Sequence, residues 1–160
     1  MTIKVGDRVP NGTFTVMTAE GPKPLTADDL FKGKKVVLFA VPGAFTPTCH
    51  KNHLPGFVKN AAAIKAKGVD TIAVTGVNDV FVMDAWKKAS GGDAIEFLAD
   101  GSAAWAKALG LSMDLTERGL GMRSQRYAML VEDGVVKQLN IEDVPGKAEI
   151  SGADNLLKSL

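Results

Sequence analysis

The chain is poor in cysteine: it has one, Cys49, among 160 residues. A lone cysteine excludes an intrachain disulfide, so nothing here asks for an oxidising compartment. It also excludes a C-x-x-C pair, and with it the dithiol chemistry of a thioredoxin-type reductant. Histidine is nearly as scarce, with only His50 and His53. A transition-metal site usually gathers three or four ligands, and beyond these three residues only carboxylates are left to complete one. No metal and no other cofactor is expected. Long apolar runs are missing too, since no window approaches the roughly 18 residues of a membrane span. The opening "MTIKVGDRVP" lacks the apolar core of a secretory leader, so cytoplasm is the expected location. Charge of one sign is not in excess: 19 basic and 18 acidic residues leave a net +1. That balance gives no electrostatic reason for a nucleic acid or a membrane surface as partner. Repeats, low-complexity tracts and linkers are absent. A chain of this length that is 46% hydrophobic reads as a single domain over 1–160, with a core large enough to need no staples.

What is present alternates between two periodicities. "TFTVM" (13–17) reads as a short strand, and Thr26 of "TADDLF" can cap a helical turn with an acidic start. "KKVVLFAVP" (34–42) is a short continuous apolar run, the mark of a strand buried on both faces. "TCHKNHLPGFVKNAAAIKAKG" then reads as a helix, with Leu54, Phe57, Val58, Ala61 and Ile64 on one face. Pro55 lies inside that helix and is expected to kink it. "VDTIAVTG" (69–76) and "IEFLAD" (95–100) are two more strands. Between them "VFVMDAWKKA" (80–89) is an amphipathic helix, with Phe81, Met83 and Trp86 expected in the core. A helix over 102–110 is expected to be capped by Ser102. Two strands around Asp133-Gly134 form a hairpin within 126–142. "SGADNLLKSL" closes the chain as a capped helix. Strands alternating with helices, then a hairpin, predict an α/β sandwich: a central mixed β-sheet flanked by helices.

In this frame Cys49 sits just past the carboxyl end of a buried strand, in the first turn of the next helix. Sites in open α/β sheets form at such ends. The helix start offers unpaired N–H groups and a partial positive charge, which favour a thiolate over a thiol. Position alone leaves two readings, a reactive thiol or a small buried hydrophobe. The spacing around it is more specific. "PGAFTPTC" sets Pro42, Thr46 and Cys49 in the pattern P-x-x-x-T-x-x-C. This resembles the active-site signature of the peroxiredoxins, and "VPGAFTPTCHKNHLPGF" resembles the type-five subfamily in particular. The likeness extends to "VNDVFVMDAW", "FLADG" and "RYAMLVEDG".

The resemblance implies a thioredoxin-like fold. It implies a peroxidase that reduces hydrogen peroxide and alkyl hydroperoxides through a sulfenic acid on Cys49. It also implies an arginine opening a later strand, a place that Arg126 fits and for which Arg123 is the alternative. Pro42 and Gly43 would shape the turn, and Pro42 would screen the sulfur from water. Thr46 has a hydroxyl that can donate to one partner and accept from another. Ionisation alone supplies little rate. A free thiol of pKa ~8.5 is a few per cent ionised at neutral pH, so full ionisation gains roughly 30-fold at most. Falling nucleophilicity, at a slope of about 0.4–0.5, takes most of that back. Most of the acceleration must come from stabilising the oxygens as the O–O bond stretches, which suits a fixed guanidinium.

Each of these residues also has a plainer reading. Thr46 can be a helix cap, Pro42 turn punctuation, Arg126 a strand-edge charge. His50 and His53 raise a further reading, a hydrolase or transferase with a Cys–His pair. A redox-silent thioredoxin-like binding module is the other rival. Some type-five relatives resolve the oxidised cysteine with a second one near the C-terminus. Here that stretch reads "GKAEISGADNLL", with Ser151 about where that cysteine would stand. Serine cannot form a disulfide, so the resemblance implies an external thiol: glutathione, with or without glutaredoxin, ahead of thioredoxin. It implies a homodimer as well.

Overall fold

A computed structural model of the chain describes residues 2–144 and 146–160. Among the described residues nine strands and five α-helices follow one another in chain order. The first is β1 (Thr13–Thr18), paired in a hairpin with β2 (Gly21–Thr26), and α1 (Ala27–Phe31) comes next. Thr26 does cap α1: its side chain accepts from the Asp29 N–H at 3.1 Å, and the Asp29 carboxyl reaches back to the Thr26 N–H. β3 (Lys35–Val41) carries the apolar run, with Val36 to Val41 fully buried. After β3 come α2 (Leu54–Ala66), β4 (Thr71–Gly76), α3 (Val80–Ser90), β5 (Glu96–Ala99) and α4 (Ala104–Leu109). A two-stranded ribbon, β6 (Ser112–Leu115) and β7 (Gly121–Ser124), precedes β8 (Tyr127–Glu132), β9 (Val135–Ile141) and α5 (Ala153–Lys158).

The main sheet has the order β2-β1-β5-β4-β3-β8-β9. β3, β4 and β5 are parallel, and β8 runs antiparallel to β3, so the sheet is mixed. β3 distributes its side chains by the period of two. Val37, Phe39 and Val41 join Phe57, Ile64 and Trp86 in one core. Val36, Leu38 and Ala40 join Phe14, Trp105 and Tyr127 in the other. The β8–β9 turn uses Asp133 at φ 47 and Gly134 at φ 79, the two left-handed residues of a type I′ hairpin.

Four sequence expectations are corrected. Pro55 does not kink an α-helix in its middle, because it lies at the second residue of α2. The preceding turn, Cys49–His53, is wound as a π-helix, with the Leu54 N–H on the Cys49 carbonyl. The looser register absorbs the N–H that proline lacks. Ser102 does not cap α4. Ala103 takes φ 62 and separates Ser102 from the helix, while the Asp100 carboxyl accepts from the Trp105 and Ala106 N–H groups, each at 3.0 Å. Phe81 is 66% exposed while Met83 and Trp86 are buried. The buried positions of α3 run Val80, Met83, Trp86, and Phe81 is turned about 100° away from that stripe. Finally, α5 is preceded by Gly152 as its N-cap residue, which offers no side-chain cap.

Candidate active site

The register of the sheet brings the site together. β3 and β8 pair antiparallel with Ala40 opposite Tyr127. Arg126 therefore enters β8 beside the carboxyl end of β3, where the loop from Pro42 to Thr48 leads into the π-helical turn. In that loop Phe45 takes φ 64, a left-handed conformation that costs a non-glycine residue about 1–2 kcal/mol. Neighbouring bonds hold it: the Ala44 N–H donates to Asn78 Oδ1 at 2.9 Å, and the Thr46 N–H to the Gly43 carbonyl at 3.3 Å. A Cβ at Gly43 would lie 2.9 Å from Arg123 Nη1 and 3.0 Å from Thr46 Cγ2. A larger residue there would push the Arg123 guanidinium off the loop and crowd Thr46, so glycine favours this close approach.

Cys49 is fully buried. Arg126, itself 2% exposed, donates from Nη2 to Cys49 Sγ at 3.0 Å. Its other terminal nitrogen, Nη1, lies 3.0 Å from His53 Nδ1. Arg123 is placed differently. Its Nε donates to the Leu120 carbonyl at 2.8 Å and its Nη1 to the Pro42 carbonyl at 3.3 Å, which ties β7 to the loop. The Thr46 hydroxyl donates to the Gly43 carbonyl at 2.6 Å, and the Thr46 carbonyl takes the His50 N–H. A cavity of about 250 Å³ opens here, lined by Pro42, Thr46, Arg126, Leu115, Arg118 and Leu120 among others.

The two histidines are both engaged. His53 packs among aromatic rings, 5.0 Å from Phe39 and 5.6 Å from Phe57 by centroid. Its Nε2 is 2.9 Å from the Ser151 carbonyl, which can only accept, so Nε2 carries the proton. Nδ1 is then the acceptor for Arg126. Burial first, and the Arg126 guanidinium second, push the pKa of His53 down to about 3, against the raising effect of the Ser151 carbonyl. The ring is thus neutral. The His50 Nδ1 accepts from Trp86 Nε1 at 3.0 Å, which fastens α3 to the π-helical turn. Neither histidine offers a lone pair to the sulfur. Among the described residues no group of three His, Cys, Asp or Glu is placed to hold a metal ion.

A stability prediction follows from His53. The unfolded chain takes up a proton near pH 6.5, whereas the folded protein does so only near 3. Between those values the unfolded state binds more protons, so stability falls as pH falls, by about 1.4 kcal/mol per unit at most. Urea unfolding at pH 7 and pH 5 is expected to show an extra loss of roughly 2 kcal/mol in the parent protein relative to His53→Gln. Equal pH dependence in the two proteins contradicts this.

Several site residues carried no sequence signal. Leu115, Arg118 and Leu120 reach the cavity through the short ribbon and its 3-10 turn, which show no periodicity long enough to read. Glu142 is 8% exposed and its Oε1 accepts from both the N–H and the Oγ of Ser151, each at 3.0 Å. A carboxyl followed by aspartate and valine at the end of a strand reads as solvated surface.

Known proteins resemble this chain along its length. The redoxin family profile matches residues 4–157. Peroxiredoxin-2E-2, chloroplastic, of Oryza sativa subsp. japonica is 52% identical, over 99% of this chain and 73% of its own. The crystal structure of reduced Prx3 in complex with H2O2 from Vibrio vulnificus matches with a TM-score of 0.94 at 51% identity, covering 99% of each chain. Peroxiredoxin 5 from Alvinella pompejana matches with a TM-score of 0.85 at 34% identity, over 98% of this chain and 97% of that one. Among the described residues no helix is long and apolar enough to cross a membrane. A likeness of this extent, in sequence and in backbone together, carries the family: the chain belongs to the peroxiredoxins within the redoxin family, with a thioredoxin-like fold and the activity of a thiol-dependent peroxidase.

Proposed function

We propose that Cys49 is the nucleophile of the peroxidase and that Arg126, Thr46, Pro42 and Gly43 form its surround. The observation that carries this reading is the 3.0 Å contact between Arg126 Nη2 and Cys49 Sγ in a buried setting. A guanidinium donor there stabilises negative charge on sulfur and stays in reach of the oxygens that develop charge. The sulfur attacks the terminal oxygen of the hydroperoxide. An S–O bond forms, the O–O bond breaks, and the leaving alkoxide or hydroxide departs as alcohol or water after taking a proton. Sulfur is oxidised to sulfenic acid and the peroxide reduced. The Thr46 hydroxyl already donates to the Gly43 carbonyl, so its oxygen is oriented to accept from the peroxide O–H. Pro42 and the Gly43 backbone close the loop over the sulfur. The H2O2 complex of the Vibrio vulnificus relative supports hydrogen peroxide as one substrate. Pro42, Pro47, Leu115 and Leu120 line the cavity with apolar surface suited to an alkyl chain. The Cys–His reading is not favoured, since both ring nitrogens that could serve as bases accept other bonds. The redox-silent reading is not favoured because the peroxiredoxin likeness spans nearly the whole chain.

The reductant is an external thiol, because Cys49 is the only cysteine. Glutathione, alone or with glutaredoxin, is the preferred donor and thioredoxin the second. One thiol displaces water from the sulfenic acid to give a mixed disulfide, and a second thiol releases Cys49. A cytoplasmic setting supplies such thiols. We place the protein there as a homodimer, which its family likeness supports. So does the exposure of Phe45 and Phe81, on the two segments joined by the Trp86–His50 bond. The test is oxidation by peroxide with a sulfenate trap, read by mass spectrometry. The trap is expected on Cys49, and glutathione is expected to replace it with a mixed disulfide. If oxidation instead gives chiefly a Cys49–Cys49 disulfide between subunits, competent for turnover without glutathione, the external-thiol reading is wrong.

A further inference from the structure

We infer that Glu142 is a positioning residue for the oxidation of Cys49: through Ser151 and His53 it sets the orientation of the Arg126 guanidinium at the sulfur. Five groups in contact form a buried chain. Glu142 Oε1 accepts from Ser151 N–H and Ser151 Oγ, each at 3.0 Å. The Ser151 carbonyl accepts from His53 Nε2 at 2.9 Å. His53 Nδ1 faces Arg126 Nη1 at 3.0 Å, and Arg126 Nη2 faces Cys49 Sγ at 3.0 Å. The links are nearly sealed from solvent: Ser151 is 0% exposed, His53 1% and Arg126 2%.

The direction of each bond is determined by chemistry. A carbonyl cannot donate, so the Ser151 oxygen forces the proton of His53 onto Nε2. That leaves Nδ1 as an acceptor, the only role in which it attracts a guanidinium rather than repelling it. Glu142 holds Ser151 by two donors on one oxygen, and this fixes where the Ser151 carbonyl points. Glu142 also grips the other end of the same arginine, because its own N–H donates to the Arg126 carbonyl at 2.9 Å. One residue thus anchors the Arg126 backbone directly and its side chain through two intermediaries. A carboxyl so engaged is not a surface charge, and no step of the peroxidase chemistry uses it as acid, base or nucleophile.

The inference rests on the role proposed above for Arg126, which the comparison of Arg126→Lys with Arg123→Lys tests separately. The experiment here pairs a rate with a spectroscopic signature of His53. Cys49 oxidation by hydrogen peroxide is followed by stopped flow. The tautomer of His53 is read from its ring 15N shifts, in a spectrum with only two histidines. Glu142→Ala is expected to slow oxidation by roughly 10–100-fold, as loss of an outer-shell orienting group does elsewhere. In that variant His53 is expected to lose its single Nε2–H signature. Glu142→Gln keeps an oxygen that can accept from both donors and is expected to stay within about 3-fold of the parent, with the signature intact. A folded Glu142→Ala protein that reacts at the parent rate overturns the inference. So does a slowed one whose His53 signature is unchanged, or a Glu142→Gln protein as slow as the alanine variant. If Glu142→Ala does not fold, Ser151→Ala deletes one of the two donors and carries the same test. A loss of roughly 5–10-fold in rate with a mixed tautomer supports the chain, and a rate within about 3-fold of the parent or an unchanged signature overturns it.

Discussion

Cys49→Ser is expected to abolish peroxide reduction while leaving the fold in place. No second thiol exists to take over, and a serine oxygen has no oxidised state that corresponds to a sulfenic acid. The fold should tolerate the change. The new hydroxyl is buried, but it meets the Arg126 guanidinium that now contacts Sγ, so it has a hydrogen-bond partner. The stability change is expected to be within about 1 kcal/mol, the net value of one such bond. Peroxide consumption by metal-free protein with excess glutathione measures the activity, and urea unfolding measures the fold. Residual turnover above the uncatalysed rate would falsify the assignment of the nucleophile.

Arg126→Lys is expected to slow oxidation of Cys49 by roughly 10–1000-fold, the range for loss of an oriented transition-state donor. The arginine uses two nitrogens at once, Nη1 toward His53 and Nη2 toward the sulfur. A lysine ammonium is a single point of donors and cannot span both in the fork geometry. Arg123→Lys is expected to change the rate far less. Its bonds go to the backbone carbonyls of Leu120 and Pro42, and an ammonium can satisfy one of them. Stopped-flow rates in the reverse order would show that the two arginines have been given each other's roles.

What could be read from the amino-acid order followed physical scale. The buried strands at 35–41, 71–76 and 96–99 announce themselves, because strands covered on both faces need continuous apolar residues. The Asp133-Gly134 turn does too, because few residues accept two successive positive φ values. β2 stayed hidden: "GPKPLT" carries two prolines and is mostly exposed, a sequence tolerable only on a sheet edge. The cap of α4 is not legible, because nearness along the chain favours Ser102 whereas the αL residue Ala103 brings the Asp100 carboxyl to the helix start. In the site, Pro42, Gly43, Thr46 and Cys49 are legible as one local spacing. Arg126 is legible only through a family pattern, since it meets Cys49 across 77 residues. His53 is the instructive case. Its spacing from Cys49 resembled that of a catalytic base, and the acceptors and donors around it make it a neutral link to the arginine.

The burial of Cys49 in a π-helical turn separates two encounters that the same sulfur must have. The neighbouring cavity is lined by Thr46 and Arg126, and on the proposed mechanism a hydroperoxide needs only a small opening from there to meet the sulfur. The tripeptide thiol proposed as reductant is larger, and the Cys49 side chain presents no surface to it. Under the proposed mechanism, reduction of the sulfenic acid requires local unwinding of this turn, whose closing bond spans five residues and is followed by Pro55, which adds no N–H of its own. Every 1.4 kcal/mol or so needed to unwind it lowers the observed rate with thiol tenfold and leaves the rate with peroxide untouched. The winding energy of this one turn thus acts as a timer. It sets how long the oxidised sulfur dwells within reach of a second peroxide, and so how high an oxidant concentration the enzyme survives before its sulfur passes to the sulfinic acid.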